Sequence, residues 1–348
     1  MKSIQKVSQR ILIFLSALVF VTMMVGPSFG SGPVMKINPK EKKQIKIGVL
    51  DPNAGIEIAG WFNREHKAAA DKRKWQIQFF DLKSNTAEGP SFMENMISAG
   101  FDGIILHWNT LKSIDKQLKM AFDKGIPVIT VANIGERWPG VLAEVGPMEA
   151  TMAATSAEYM AGKLQAGDKI ITISIPIIEM HQVRLTAIKG VAQAYGLKIA
   201  QDLQWTPMGD PFQWAKDQTK NTLLGDTKKE IKGIAATWEG MGVTAARAAH
   251  ELGRDDVVVV TVDDSPNTYN EIRNLPTMWA GTGFTGQLKE MNDQIFTIFE
   301  KVFKGDSVPS QQFYPFLARM VTKENLPPKG YFTNPLGYKG RKPDFQVK

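Results

Sequence analysis

From residue 44 onward, short Val- and Ile-rich runs alternate with longer stretches whose apolar residues recur at helical spacing. A strand that is apolar at successive positions has both faces buried, and helices on both faces of a parallel sheet are what bury it. The runs at 44–50, 75–80, 103–106, 127–131 and 141–145 form one series of expected strands. A second series lies at 169–175, 198–203, 233–237, 257–262 and 278–281. Helical patterns fall between them, as at 60–73, 151–165, 186–195 and 243–252. The expected fold class is α/β, with two doubly wound, Rossmann-like parallel sheets. No Pro/Ser/Gly-rich tether separates the two series, so several short crossings should join them.

The first thirty residues have a different character. Lys2, Lys6 and Arg10 precede an apolar run at 11–25, and Pro27-Ser28-Phe29-Gly30 offers small residues before a cut after Gly30. That is the pattern of a cleaved export signal, residues 1–30, which places the product in a periplasm. An uncleaved anchor is the alternative, because the segment from Lys36 to Lys46 would flank it. Export changes the meaning of the βα repeat. In the cytosol such an architecture is usually an enzyme fed by NAD or ATP, and neither is supplied outside the inner membrane. The expectation shifts from enzyme to binding protein, with no cofactor.

Charge and cysteine content narrow the partners. The net charge is +7; the first thirty residues hold three of those positive charges and no acidic residue, leaving +4. The surplus is scattered, so the reading is a solvated surface and no nucleic-acid partner. There is no cysteine, which excludes disulfides, thiol catalysis, Cys-ligated metals and a lipid anchor on Cys. A freely diffusing monomer is expected.

In open α/β sheets, ligands bind beyond the carboxyl ends of the strands. The residues there include Asp51 to Glu57 with Trp61, then His107-Trp108-Asn109, then Asn133 with Arg137 and Trp138 beyond. In the second series they are Glu179, His181 and Arg184, then Trp238-Glu239, Asp263-Asp264 and Phe284. Four of the eight tryptophans (Trp61, Trp108, Trp138, Trp238) fall at or just past these ends. An aromatic face packs on the C–H side of a polyhydroxylated ring while charged groups bond its hydroxyls. The alternative for each tryptophan is core capping.

Catalytic readings are weaker. His107 has no second His or Cys at metal-ligating spacing, so hydrogen bonding is its expected role. His66 and His250 lie on helical patterns and are expected at the surface or between helix and sheet. Asp263 and Asp264, adjacent on a strand end, point in opposite directions, which argues against a shared proton. Glu57 and Glu239 would have to meet in one cleft to hydrolyse a glycoside. There is no phosphate-cradling glycine loop, no G-x-S-x-G elbow and no His-Glu-x-x-His motif.

These residues resemble the type I periplasmic binding proteins, in particular the ribose/galactose-type group that serves ABC transporters. The likeness covers nearly all of 44–326. It rests on Ile45-Lys46-Ile47-Gly48-Val49, Gly125-Ile126-Pro127-Val128-Ile129-Thr130 and Glu144-Val145-Gly146. Further markers are Arg184-Leu185-Thr186-Ala187-Ile188, the strand from Val258 to Asp263, and Val321-Thr322-Lys323-Glu324-Asn325. The resemblance implies a receptor that captures a sugar, polyol or related hydroxylated molecule and delivers it to an ABC permease. A receptor for a membrane sensor kinase is the alternative, and aromatic surface would also suit a methylated amine or amine oxide.

The resemblance further implies site residues. Arg184 matches a ligand-clamping arginine and Asp263 a hydroxyl-binding aspartate, so removing either should cost affinity and spare the fold. Trp108, Asn109, Asn133, Trp61, Glu57, Glu239, His107 and Phe284 complete the expected pocket, with Trp108 and Trp238 facing each other from opposite lobes. The family's aromatic wall after the first strand has no clean match, since Ile58 and Ala59 stand at its spacing. Ala132-Asn133 replaces an Asp-Arg pair, Trp238-Glu239 replaces an Asn before an acidic residue, and a hinge polar residue is lost near Gly283. The implied lobes are 44–145 with 284–312, and 146–283 with 313–326. Crossings would lie near 145–146, 283–284 and 312–313, and 327–348 would form an irregular tail.

Overall fold

The structure is a computed structural model that describes residues 44–109, 111–133, 138, 140–206, 209–307 and 312–332. The expected export signal, Arg137 and most of the expected tail lie outside these residues. The first half alternates β1 (Lys46–Asp51), α1 (Glu57–Lys72), β2 (Gln76–Asp81), α2 (Gly89–Ser98), β3 (Gly103–His107), α3 (Asp115–Asp123), β4 (Val128–Val131) and β5 (Val141–Pro147). The second continues with α4 (Glu149–Ala161), β6 (Lys169–Ser174), α5 (Glu179–Ala194), β7 (Lys198–Gln204), α6 (Pro211–Gly225), β8 (Ile231–Ala236) and α7 (Glu239–Glu251). Then come β9 (Val258–Val262), α8 (Pro266–Asn274), β10 (Met278–Gly283), α9 (Leu288–Phe303), β11 (Gln312–Phe316) and β12 (Arg319–Thr322).

These strands form two six-stranded sheets, ordered β11-β5-β4-β3-β1-β2 and β12-β10-β9-β8-β6-β7. All pairs are parallel except β10 with β12, which is antiparallel. Ile47, Val49, Ile104, Ile105, Val259 and Val260 are essentially inaccessible, as strands covered on both faces require. Glycine sets how closely helices approach. A Cβ at Gly103 would lie 2.6 Å from the Phe299 ring of α9, and one at Gly242 of α7 would lie 2.0 Å from Thr261 Cγ2 of β9.

In each sheet the first strand lies between the second and third, so successive connections leave it in opposite directions. The switch points lie between β1 and β3 and between β6 and β8, and in such sheets a crevice opens there beyond the strand ends.

Three passages join the sheets. Gly146 continues β5 with its Cα so close to Ala132 that a Cβ would stand 3.0 Å from the Ala132 backbone. A second leaves β10 through Phe284, whose backbone N–H donates to Asp264 (3.1 Å). The third lies at Leu317-Ala318, between β11 and β12, and not near 312–313 as the sequence suggested. Residues 312–316 pair along their whole length with β5. Pro315 reads as a strand breaker, but β11 is an edge strand, where a missing N–H costs no ladder bond.

Candidate functional site

A cavity of about 410 Å³ opens between the two sheets. The first sheet contributes Asn53, Ile56, Ile58 and Trp108 to its wall. The second contributes Arg184, Trp205, Phe212, Trp238, Glu239 and Asp263, with Phe284 at a passage between the sheets. Trp108 follows β3 and Trp238 follows β8, so both switch points face the same space.

The polar centre belongs to the second sheet. Arg184, on α5, is 1 % exposed. Its guanidinium donates to both Asp263 carboxylate oxygens (2.6 and 2.9 Å), to Glu149 (2.5 Å) and to the Thr237 carbonyl (2.8 Å). Asp263 is held at φ 71°, a left-handed conformation that aspartate tolerates better than most residues. The bidentate bond to Arg184 fixes it there. One cation serves two carboxylates, and the bidentate partner takes the larger share. Burial then pushes the Glu149 carboxyl up to about 7, Arg184 opposing the shift and Asp263 adding to it.

Asp264 follows the left-handed Asp263 and also borders the cavity, but its carboxylate is engaged within the fold. It accepts from the Phe284 and Thr285 N–H groups, the Thr285 hydroxyl and the Tyr269 hydroxyl. It therefore ties the end of β9 to the chain passage after β10. Glu239, the first residue of α7, has Oε2 buried with no hydrogen-bond partner. Burial, then the nearby charges of Asp263 and Asp264, push its carboxyl well above the usual range.

The aromatic wall is uneven. Trp238 and Phe212 form a corner, with ring centroids 5.2 Å apart and planes at 40°. Trp108 is 9 % exposed and packs on Phe62 (5.9 Å) and His107 (5.0 Å, stacked). Trp205 presents a buried indole N–H that has no partner.

Of the residues expected from the sequence, Arg184, Asp263, Trp238, Trp108, Glu239 and Phe284 meet at this cavity. The other five do not line it. Asn109 is spent on main chain: its side-chain amide donates to the Leu50 (3.1 Å) and His107 (2.6 Å) carbonyls, fastening β1 to β3. Asn133 is buried and its N–H donates to Glu144 (2.8 Å); the preceding Ala132, at φ 51°, faces the cavity instead. Trp61 lies one turn further along α1 than Ile58, over the sheet rather than beyond its end, and packs on Phe332 (4.8 Å). Glu57 begins α1 outside the cavity, its carboxyl raised by burial, so it shares no cleft wall with Glu239.

His107 is fully buried under the sheet end, its Nε2 2.7 Å from His66 Nε2 and its Nδ1 3.5 Å from Asp51. His66 is thus a core residue; burial, with His107 beside it, keeps its imidazole well below the usual value. The pairing spans 41 residues, from helix to strand, a distance no local spacing rule reaches. Among the described residues no three metal-ligating side chains gather. Trp138 donates to Asp115, away from the cavity.

The sequence reading missed Trp205 and Phe212. Trp205 stands just past β7, and Phe212 lies in the first turn of α6. The Pro211 start and the Asp210 side chain, which accepts from Phe212 N–H (2.8 Å), fix that turn.

A family model for the periplasmic binding protein domain matches residues 47–276. The chain is 24% identical to the xylitol-binding protein of Mycolicibacterium smegmatis over 290 residues, which is 82% of this chain and 79% of that protein. It is 21% identical to the ribose import binding protein RbsB of Escherichia coli, over 73% of this chain and 83% of that protein. Among solved structures, an ABC transporter solute-binding protein from Agrobacterium vitis with bound allitol superposes with a TM-score of 0.74 at 19% identity. The match covers 82% of this chain and 97% of that one.

Proposed function

The chain belongs to the periplasmic binding protein family, and we propose that it is a solute receptor closing its two sheets around a small sugar, polyol or related hydroxylated compound. The family is one of binding proteins, not enzymes. One observation carries the reading: both switch points converge on a cavity walled by Trp108 and Trp238 and floored by Arg184 and Asp263. Its volume of about 410 Å³ falls in the range of small-molecule sites. The names of the xylitol and ribose relatives, and the allitol held by the structural neighbour, support the ligand class.

The lobes of this reading are 44–145 with 284–316, and 146–283 with 317–326. A ligand touching both stabilises the closed arrangement, which an ABC permease of the inner membrane then recognises. The receptor reaches the periplasm through cleavage of residues 1–30 and acts as a monomer. A thermal-shift screen over sugars and polyols tests the function, because a ligand that binds only the folded state raises its stability by mass action. At least one compound should raise the melting temperature in a concentration-dependent way. A flat response across the panel would overturn the reading.

A further inference from the structure

The charges around the cavity do not balance, and the imbalance bears on the ligand. Arg184 is the cationic side chain on the cavity wall among the described residues. Four of its five N–H donors are already engaged by Glu149, Thr237 and Asp263. Asp263 is answered by Arg184, and Asp264 by four donors from Tyr269, Phe284 and Thr285. Glu239 is answered only in part, by its own backbone N–H and by the charge of Arg184. Its Oε2 is shut away from water at the cavity with no hydrogen-bond donor and no ion-pair partner.

Burying a carboxylate without a partner is costly unless the group takes up a proton or a cation arrives. Burial, with Asp263 and Asp264 nearby, pushes the Glu239 carboxyl up, as expected where Oε2 has no partner. The helix ends do not offer an anion site in exchange. Ile56, Ile178 and Trp238, the residues before α1, α5 and α7, line the cavity and cap nothing with their side chains. Each of those helices opens with a glutamate (Glu57, Glu179, Glu239) that meets the positive end of its own dipole.

Beside Glu239 stands the corner of Trp238 and Phe212, two π faces of the kind that attract a cation. Elsewhere on the wall, the Trp205 indole N–H lacks an acceptor. The cavity thus offers a carboxylate and aromatic faces on one side, and an unanswered donor besides.

We infer that the ligand is a hydroxylated compound bearing one protonated amine, with the ammonium held by Glu239 against Trp238 and Phe212 and a hydroxyl accepting from Trp205. The assignment rests on the receptor reading above and narrows its ligand class. An ammonium supplies the charge that the carboxylates lack, and its N–H donors fit the unpartnered Oε2. A neutral polyol would bring no charge to Glu239, and an anionic sugar would meet carboxylates with little of Arg184 to spare.

Titration calorimetry with matched pairs tests this, each pair sharing one carbon skeleton: glucitol and 1-amino-1-deoxyglucitol, galactose and galactosamine, xylitol and its 1-amino derivative. The amine of the binding pair should bind about tenfold or more tightly than its neutral counterpart, the scale of one charge-assisted contact. Glu239→Gln, nearly isosteric, should bring that ratio close to one, with folding checked by its melting curve. Phe212→Ala, at a position 40 % exposed and so of little weight in the fold, should lower the ratio severalfold. A neutral polyol binding as tightly as its amine would overturn the inference and leave the receptor reading standing. A preference that survives in Glu239→Gln would also overturn it. If no member of any pair bound, both readings would fall together.

Discussion

Arg184 carries two duties that conflict in a mutational test. It lines the cavity, and it is also the largest fully buried side chain among the described residues, answering the charges of Glu149 and Asp263. Its removal strands a buried carboxylate, Glu149, and a partly buried one, Asp263, so Arg184→Ala should lose about 3–5 kcal/mol of stability besides affinity. The sequence alone suggested a clamp whose loss would spare the fold. What corrects it is Glu149, 35 residues upstream on another helix. Chemical denaturation of the variant checks this; an unchanged midpoint would show that the network carries no net stability.

The two tryptophans separate in the same way. Trp108 is nearly buried against Phe62 and His107, so Trp108→Ala should destabilise by roughly 3–5 kcal/mol. Trp238 is only partly covered and faces the cavity with Phe212, so Trp238→Ala should weaken binding with a much smaller loss of melting temperature. Equal losses in both variants would contradict the assignment. Sequence identified both as strand-end residues because the end of a Val/Ile run is easily read. It had no means of telling which indole turns into the space and which lies on a neighbouring ring.

At the scale of elements, the expected strands lie within two residues of the observed ones, apart from β11 and β12. Buried parallel strands announce themselves as continuous apolar runs, whereas β11 is an aromatic, Pro-containing edge and β12 a short four-residue strand. Helix placement was legible in outline, but the closeness of helix to sheet was not. Gly242 permits α7, which carries Trp238 and Glu239 at its start, to lie directly on Thr261 of β9. Gly242→Ala inserts a methyl where none fits and should cost about 1–3 kcal/mol. It should also shift the helix start and weaken ligand binding. Paired melting and calorimetry on this variant would refute the packing account if both stayed at wild-type values.

For the whole molecule, the two sheets share one strand order and turn both switch points on the same space, so the fold itself makes the site. The side chains then decide what enters: one engaged guanidinium, an aromatic corner and a carboxylate with one unpartnered oxygen. Four of the expected site residues, Asn109, Asn133, Trp61 and His107, serve the interior of the fold instead, because strand ends must also be fastened to one another. The central claim is that a small hydroxylated ligand is held between the sheets by residues from both. Its most direct test is a crystal structure of the protein with whichever compound most raises the melting temperature. The account predicts ligand density in contact with Trp108 on one side and with Trp238 and Asp263 on the other. Density outside this cavity, or touching residues of one sheet only, would contradict it.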